Sequence, residues 1–248
     1  MGIYSHQRKF TVRYSDVDSA DELKPSAILS FAQEVAGTSA DELGFGYQDI
    51  IPFGYGFLIV ATYCEMKTPA HPTDVVCAET WPLPPRHVLF ERDYRLTNEA
   101  GEEVAALASR WCLVDLKNGA LLLPTVLKAH ETCPYRNEQS TSPVWKIRKL
   151  GEEGREVYRL TAKANHFDHF HHVNNAKYAD FFLDCFTEEE LLKNRIKSFR
   201  ITYSKQVKEG EEMVFYRSDS EGETIIELRV GGIATTQFAV TFEARGNQ

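Results

Sequence analysis

Between Asn165 and Asn175 the chain reads NHFDHFHHVNN, which places His166, His169, His171 and His172 within seven positions beside one acid, Asp168. Three chemistries are open to such a set. An imidazole titrates near neutrality, so His172 can take a proton from water, with Asp168 orienting a histidine or serving as base if burial raises its pKa. The four histidines could instead ligate zinc, although adjacent His171 and His172 point to opposite sides of an extended chain and no cysteine lies close by. The third reading is structural: Asp168 closes an Asx turn and the other histidines sit in a solvated loop. The reading carried forward is catalysis by Asp168 and His172, with no metal.

A helix start must position these groups. Val173-Asn174-Asn175 leads into a helix around Asn175–Cys185, for which Asn174 or Asn175 is a natural N-cap. Cys185 lies inside that helix after Phe181-Phe182-Leu183, where a buried and inert thiol is the expectation.

The same plan occurs twice. Residues 160–182 lie on residues 10–32 at a constant offset of 150, so that Leu160 meets Phe10, Lys163 meets Arg13, Asp168 meets Asp18, His172 meets Glu22, Val173 meets Leu23 and Phe181 meets Phe31. In the first half, alternating Phe10, Val12 and Tyr14 predict a strand, and Pro25 opens a helix that Gly44 ends. Four β-rich runs follow it, separated by turns such as Lys117-Asn118-Gly119. Four more follow the second helix: SFRITYSKQV, EMVFYRSD, TIIELRV and ATTQFAVTFEAR. An α+β fold results, with two long helices each wrapped by an antiparallel sheet and the two sheets joined as one. The expected boundaries are 1–124 for the first unit, 125–153 for a linker, and 154–248 for a second unit that carries the site.

The net charge of −8 argues against bulk nucleic-acid binding, which needs a basic footprint. Phe57-Leu58-Ile59-Val60-Ala61 is too short an apolar run to span a bilayer, and residues 1–10 lack the apolar core of a secretory signal. Five cysteines without a CxxC pair predict reduced thiols and a cytoplasmic protein.

Asp168, His172, Val173, Asn174, Asn175 and Tyr178 form D-x-x-x-H-V-N-N-x-x-Y. Together with Ser109-Arg110-Trp111-Cys112-Leu113-Val114 and the segment FRITYSKQV (199–207), this pattern resembles the acyl-ACP thioesterases of plants and bacteria. The resemblance implies a tandem (double) hot-dog fold and hydrolysis of a fatty acyl thioester on acyl carrier protein, releasing free acid in fatty acid biosynthesis. It also places the site in the second half, and the first half agrees in having Glu22 and Leu23 where the second has His172 and Val173. Two positions depart from the family pattern. Phe170 stands where D-x-N-x-H has asparagine, and the family's later acidic or cysteine position falls on Gln206 and Val207.

On this reading the acyl carbonyl sits near Val173–Ala176 at the helix N-terminus, served by Asn174 and Asn175. Gln206 positions the water or the thioester, because an amide donates and accepts but cannot be a base. Phe170 lines the acyl tunnel or packs in the core. No cofactor is expected. A basic run, Lys193, Arg195, Lys197, Arg200, Lys205 and Lys208, and a second patch at Lys146, Arg148 and Lys149, are candidate landing surfaces for an acidic carrier protein. Two fused units mimic a dimer of single ones, so monomer and homodimer both fit. The alternatives are an acyl-CoA thioesterase and an acyl-binding protein without hydrolysis.

Overall fold

A computed structural model describes residues 4–245 apart from 152, 169 and 221. Its first half runs β1 (His6–Thr11), α1 (Pro25–Glu42), α2 (Tyr47–Ile50), β2 (Tyr55–Met66), β3 (Val75–Pro82), β4 (Leu89–Asn98), β5 (Glu103–Asp115), β6 (Leu121–Leu122) and α3 (Ala129–Thr132). The second runs β7 (Arg155–Thr161), α4 (Asn175–Leu183), α5 (Glu188–Lys193), β8 (Asn194–Tyr203), β9 (Glu212–Ser220), β10 (Glu223–Val230) and β11 (Ile233–Ala244).

All eleven strands form one sheet in the order β1-β3-β4-β5-β2-β8-β11-β10-β9-β7, with β6 added against β5. Reading outward from the centre, β2, β5, β4, β3 and β1 answer to β8, β11, β10, β9 and β7. The halves meet where β2 pairs antiparallel with β8, Ala61 opposite Thr202 and Cys64 opposite Phe199.

Both long helices lie in the hollow of this sheet and pack on each other. α1 begins at Pro25, whose fixed φ suits a first helical position, and buries Ala27, Ile28, Leu29, Phe31, Ala32 and Val35. Gly44, at φ +75°, ends it and brings the chain so close to α3 that a Cβ there would meet Ala129 Cβ at 3.3 Å. α4 buries Ala176, Tyr178, Ala179, Phe181 and Phe182 on the same core, which continues through Phe199, Phe215 and Phe238 of the sheet. A smaller apolar cluster, built on Phe45, Ile50, Leu113 and Leu127, fills the far end of the first half.

Residues 133–150 have no regular structure and cross the outer face of the sheet from one half to the other. They are tied down by specific bonds. Trp81 Nε1 donates to Glu138 O (2.8 Å), Thr141 Oγ1 donates to Glu65 Oε1 (2.6 Å), and Ser140 donates through both N (2.5 Å) and Oγ (3.0 Å) to Asp93 Oδ2. Ile147 completes the crossing, buried against Ile225 and Ala239. No helix among the described residues is long and apolar enough to cross a membrane.

Burial raises the Asp93 carboxyl to about 6, against the lowering effect of its two bonds from Ser140. An aspartate is about 3.9 in an unfolded chain, so folding favours the protonated form. Stability is therefore lost as pH rises from about 4 through 6. Asp93→Asn keeps an acceptor for Ser140 without the charge. Its Tm is expected to exceed that of the native chain at pH 8, with the gap closing towards pH 4, as read by thermal unfolding across pH.

Candidate functional site

The loop before each helix folds the same way twice. Asp18 Oδ1 accepts the N–H groups of Ala20 (2.9 Å) and Glu22 (3.2 Å), and Asp168 Oδ1 accepts those of Phe170 (2.9 Å) and His172 (3.3 Å). Asp18 N donates to Glu22 O and Asp168 N to His172 O, both at 2.9 Å. Asp21 and His171 hold left-handed backbone at φ 58° and 61°. Bridges Val17–Leu23 and Phe167–Val173 then close the two loops. Asp168 thus performs the Asx-turn work expected of an aspartate before a helix, and its counterpart Asp18 does so in a loop without a histidine.

The halves part company at the next side chain. His172, half-buried, meets Gln206, whose Nε2 stands 2.7 Å from His172 Nε2 and 3.4 Å from Nδ1. In that orientation the amide donates to the ring and the imidazole proton sits on Nδ1. Turned over, the amide carbonyl would accept Nε2–H and leave Nδ1 as the base. Glu22, at the matching place, is pinned by Arg195 (3.3 Å) and Arg245. Thr73 N donates to Val12 O as Gly210 N donates to Ala162 O. With those two turns matched, Gln206 falls on Pro69, which has no polar side chain to offer.

Asn174 is the N-cap of α4, its Oδ1 accepting Ala176 N at 2.9 Å, while Asn174 N donates to His166 O. The cap satisfies the Ala176 N–H and Lys177 N donates to Asn174 O, which leaves the Asn175 N–H as the first-turn donor without a hydrogen bond among the described residues. His166 serves the fold: Nδ1 accepts Lys163 N (3.1 Å), and the ring lies edge-on to Phe181 with centroids 5.2 Å apart. Burial, and then the charge of Lys177, pull its pKa down. His171 is exposed, and His169 lies outside the described residues. Among the described residues no three histidines, cysteines or carboxylates are placed to hold a metal ion.

Of the two places expected of Phe170, the acyl tunnel or the core, the structure excludes the core. The turn held by Asp168 throws it outward, 42% exposed, where its ring meets Tyr47 of the first half at 5.1 Å in an edge-on contact. Tyr47 was not evident from sequence, because nothing in the pattern links a residue of α2 to a loop some 120 positions away. Val207, beside Gln206, is buried in the core. Cys185 is buried, donates to Phe181 O (3.3 Å) and has its thiol pKa pushed well up by burial, as expected of an inert cysteine.

The basic run does not form an open positive face. Lys193 pairs with Glu189, Arg195 with Glu22 and Glu243, and Arg200 with Glu223, leaving Lys197, Lys205 and Lys208 as its exposed lysines without a carboxylate pair among the described residues. Arg148 of the second patch pairs with Glu153.

One antiparallel sheet wrapped around two helices, repeated within a single chain, defines a double hot-dog protein. Residues 3–122 match the acyl-ACP thioesterase N-terminal domain and residues 151–243 the acyl-ACP thioesterase C-terminal domain. The chain belongs to the acyl-ACP thioesterase family. It is 23% identical over 220 residues to the chloroplastic oleoyl-acyl carrier protein thioesterase of Coriandrum sativum, with 82% of this chain aligned to 59% of that protein's length. Among solved structures, an acyl-ACP thioesterase from Bacteroides thetaiotaomicron superposes with a TM-score of 0.89 at 21% identity, over 96% of this chain and 98% of that one. The 12:0-ACP thioesterase from Umbellularia californica gives 0.87 at 17%, over 99% and 100%.

Asn174→Ala removes the cap of α4 and is expected to cost about 1 kcal/mol of stability, measured by denaturant unfolding. Asn174→Asp or Asn174→Ser should recover most of it.

Proposed function

We propose that this chain hydrolyses the thioester of a fatty acyl group carried on acyl carrier protein, releasing the free acid. The observation that carries the reading is the His172–Gln206 pair at the capped start of α4, a pair that the otherwise repeated first half lacks. His172 is the base that takes a proton from water. Gln206, unable to ionise, orients the ring or the water. The Asn175 N–H, aided by the helix dipole, faces the developing oxyanion. Asp168 holds the backbone of the loop in the geometry that presents His172, which makes it a positioning residue. Phe170 and Tyr47 together offer an apolar contact beside the site, suited to the substrate near its entrance.

A second reading, acyl binding without turnover, is favoured by one observation: neither a carboxylate nor a thiol stands at Gln206 and Val207. Turnover of acyl-CoA in place of acyl-ACP is the third, and a basic run of which half is paired supplies no argument against it.

The test is acid release from acyl-ACP and acyl-CoA of matched chain lengths. Release from acyl-ACP is expected to fall by about a hundredfold in His172→Ala, in line with loss of a general base. Unchanged release in a folded His172→Ala protein would sink this assignment, and binding without release would establish the second reading. Gln206→Glu adds a carboxylate at the ring and is expected to raise kcat; a fall would show that the neutral amide is needed.

A further inference from the structure

Large apolar side chains left in solvent are ordinary when they stand alone and informative when they gather. Of the eleven that are exposed among the described residues, four lie close together in the chain: Leu116, Leu121, Leu123 and Val126, each 43–57% exposed. A fifth, Phe53, is next to Gly54, whose O accepts Leu116 N at 2.8 Å. The cause is local. Leu122 of β6 packs on the inner cluster of Phe45, Ile50, Leu113 and Leu127, so alternation sends Leu121 and Leu123 to the other face. Leu116 reaches that face too. It lies over Gly56, where an added Cβ would meet its Cδ2 at 2.9 Å, and Gly56, Val114 and Leu121 form one cross-strand row. In the turn after β6, Pro124 and Leu127 are buried and Val126 is not.

The hairpin that carries these side chains projects from the sheet. Leu89, the first residue of β4, pairs with Cys112, and β5 runs on past it to Asp115 with β2 on one side and the short β6 on the other. Gly119 N closes the tip on Asp115 O (2.8 Å). Charge here runs against the rest of the chain. From Leu116 to His130 there is no acid, although the whole carries a net −8. Asp115, just before, is turned onto its own loop, where it accepts Lys117 N (2.8 Å) and Asn118 Nδ2 (3.3 Å). Lys117 and Lys128 are exposed and have no carboxylate partner among the described residues.

A projecting apolar tip flanked by cations suits one kind of partner. A stable dimer takes roughly 20 to 30 residues from each side, and a handful of side chains on a hairpin falls well short of that. A lipid surface needs no matching shape, because headgroups part around leucines while lysines reach the phosphates beside them. The acidic remainder of the protein is repelled by the same phosphates, which leaves the hairpin as the face turned towards them. We infer that the β5–β6 hairpin is a membrane-contact site. Leu116, Leu121, Leu123 and Val126 enter the headgroup layer of an anionic bilayer, and Lys117 and Lys128 rest on lipid phosphate. The contact needs no turnover, so it stands or falls apart from the hydrolysis proposed above.

The test is flotation of the full chain, without substrate, on vesicles of phosphatidylcholine alone and of phosphatidylcholine mixed equally with phosphatidylglycerol. Binding to the mixed vesicles is expected, weaker by about tenfold or more on phosphatidylcholine alone. Leu121→Ser combined with Leu123→Ser should lower binding to the mixed vesicles by about tenfold or more. Val144→Ser combined with Leu192→Ser removes two exposed apolar side chains elsewhere and should leave binding unchanged. Lys117→Gln combined with Lys128→Gln should abolish the preference for phosphatidylglycerol. All six side chains are exposed, so each variant is expected to keep the native Tm. Absence of flotation, equal binding to both vesicle types, binding that survives the Leu121 and Leu123 changes, or equal loss in the Val144 and Leu192 variant overturns the inference. So does a dimer in sedimentation velocity that Leu121→Ser with Leu123→Ser dissociates, which would give the hairpin to a second copy of the chain.

Discussion

The pairing of β2 with β8 is the constraint on which everything else rests. Five residues of each strand, from Ala61 opposite Thr202 to Glu65 opposite Ser198, convert two sheets into one. Because side chains alternate along both strands, a slip of one residue would turn Phe199 and Ile201 outward and bring polar neighbours into the core. The register therefore fixes how α1 and α4 lie on each other in the hollow. It also fixes which residues of the first half face the His172 loop of the second, and Tyr47 against Phe170 is the visible result.

Much of this was legible in the sequence, and the reason is periodicity. The offset of 150 residues survives in the structure down to backbone hydrogen bonds: Asp18 and Asp168 make the same three bonds with the same lengths to within about 0.1 Å. The start of α1 at Pro25 and the cap of α4 at Asn174 followed from local chemistry that acts over three or four residues. What local chemistry cannot give is the outcome of long-range packing. Phe170 reads by type as a residue of the acyl tunnel or the core, and a turn residue at φ 61° beside it keeps it out of the core. The basic run reads as a patch by spacing, yet its partners Glu22, Glu223 and Glu243 come from other elements. α5 was hidden for a different reason. It is only six residues long, and its capping box of Thr187 and Glu190 stands between a helix and a strand that were already accounted for.

The repeat also explains how one chain can carry two different ends. The matching loops use identical backbone scaffolds, so the chemistry is free to differ in the side chains mounted on them. On one loop His172 is left with an amide neighbour, half in solvent. On the other Glu22 is drawn into ion pairs with Arg195 and Arg245, both contributed by the second half, and so helps to bind the units together. The same place in the fold thus carries a half-buried histidine beside an amide in one copy and a fastening in the other. A dimer of identical subunits could not divide the roles in this way.

Among the described residues the main run of the sheet ends on two strands, β1 and β7, each with a neighbour on one side only. An open edge offers unpaired N–H and C=O groups, and the edges of a sheet eleven strands wide would otherwise invite further strands to add end to end. Both edges are written in charge: Arg8 and Lys9 on β1, and Arg155, Glu156 and Arg159 on β7. Several of these charges are held by carboxylates, Arg8 by Glu34 and Arg159 by Glu156 and Glu212, so they stay at the rim as ordered pairs. The continuity that makes the two halves one body thus stops at a guarded border, and the structure that assembles by strand pairing also resists assembling further by the same means.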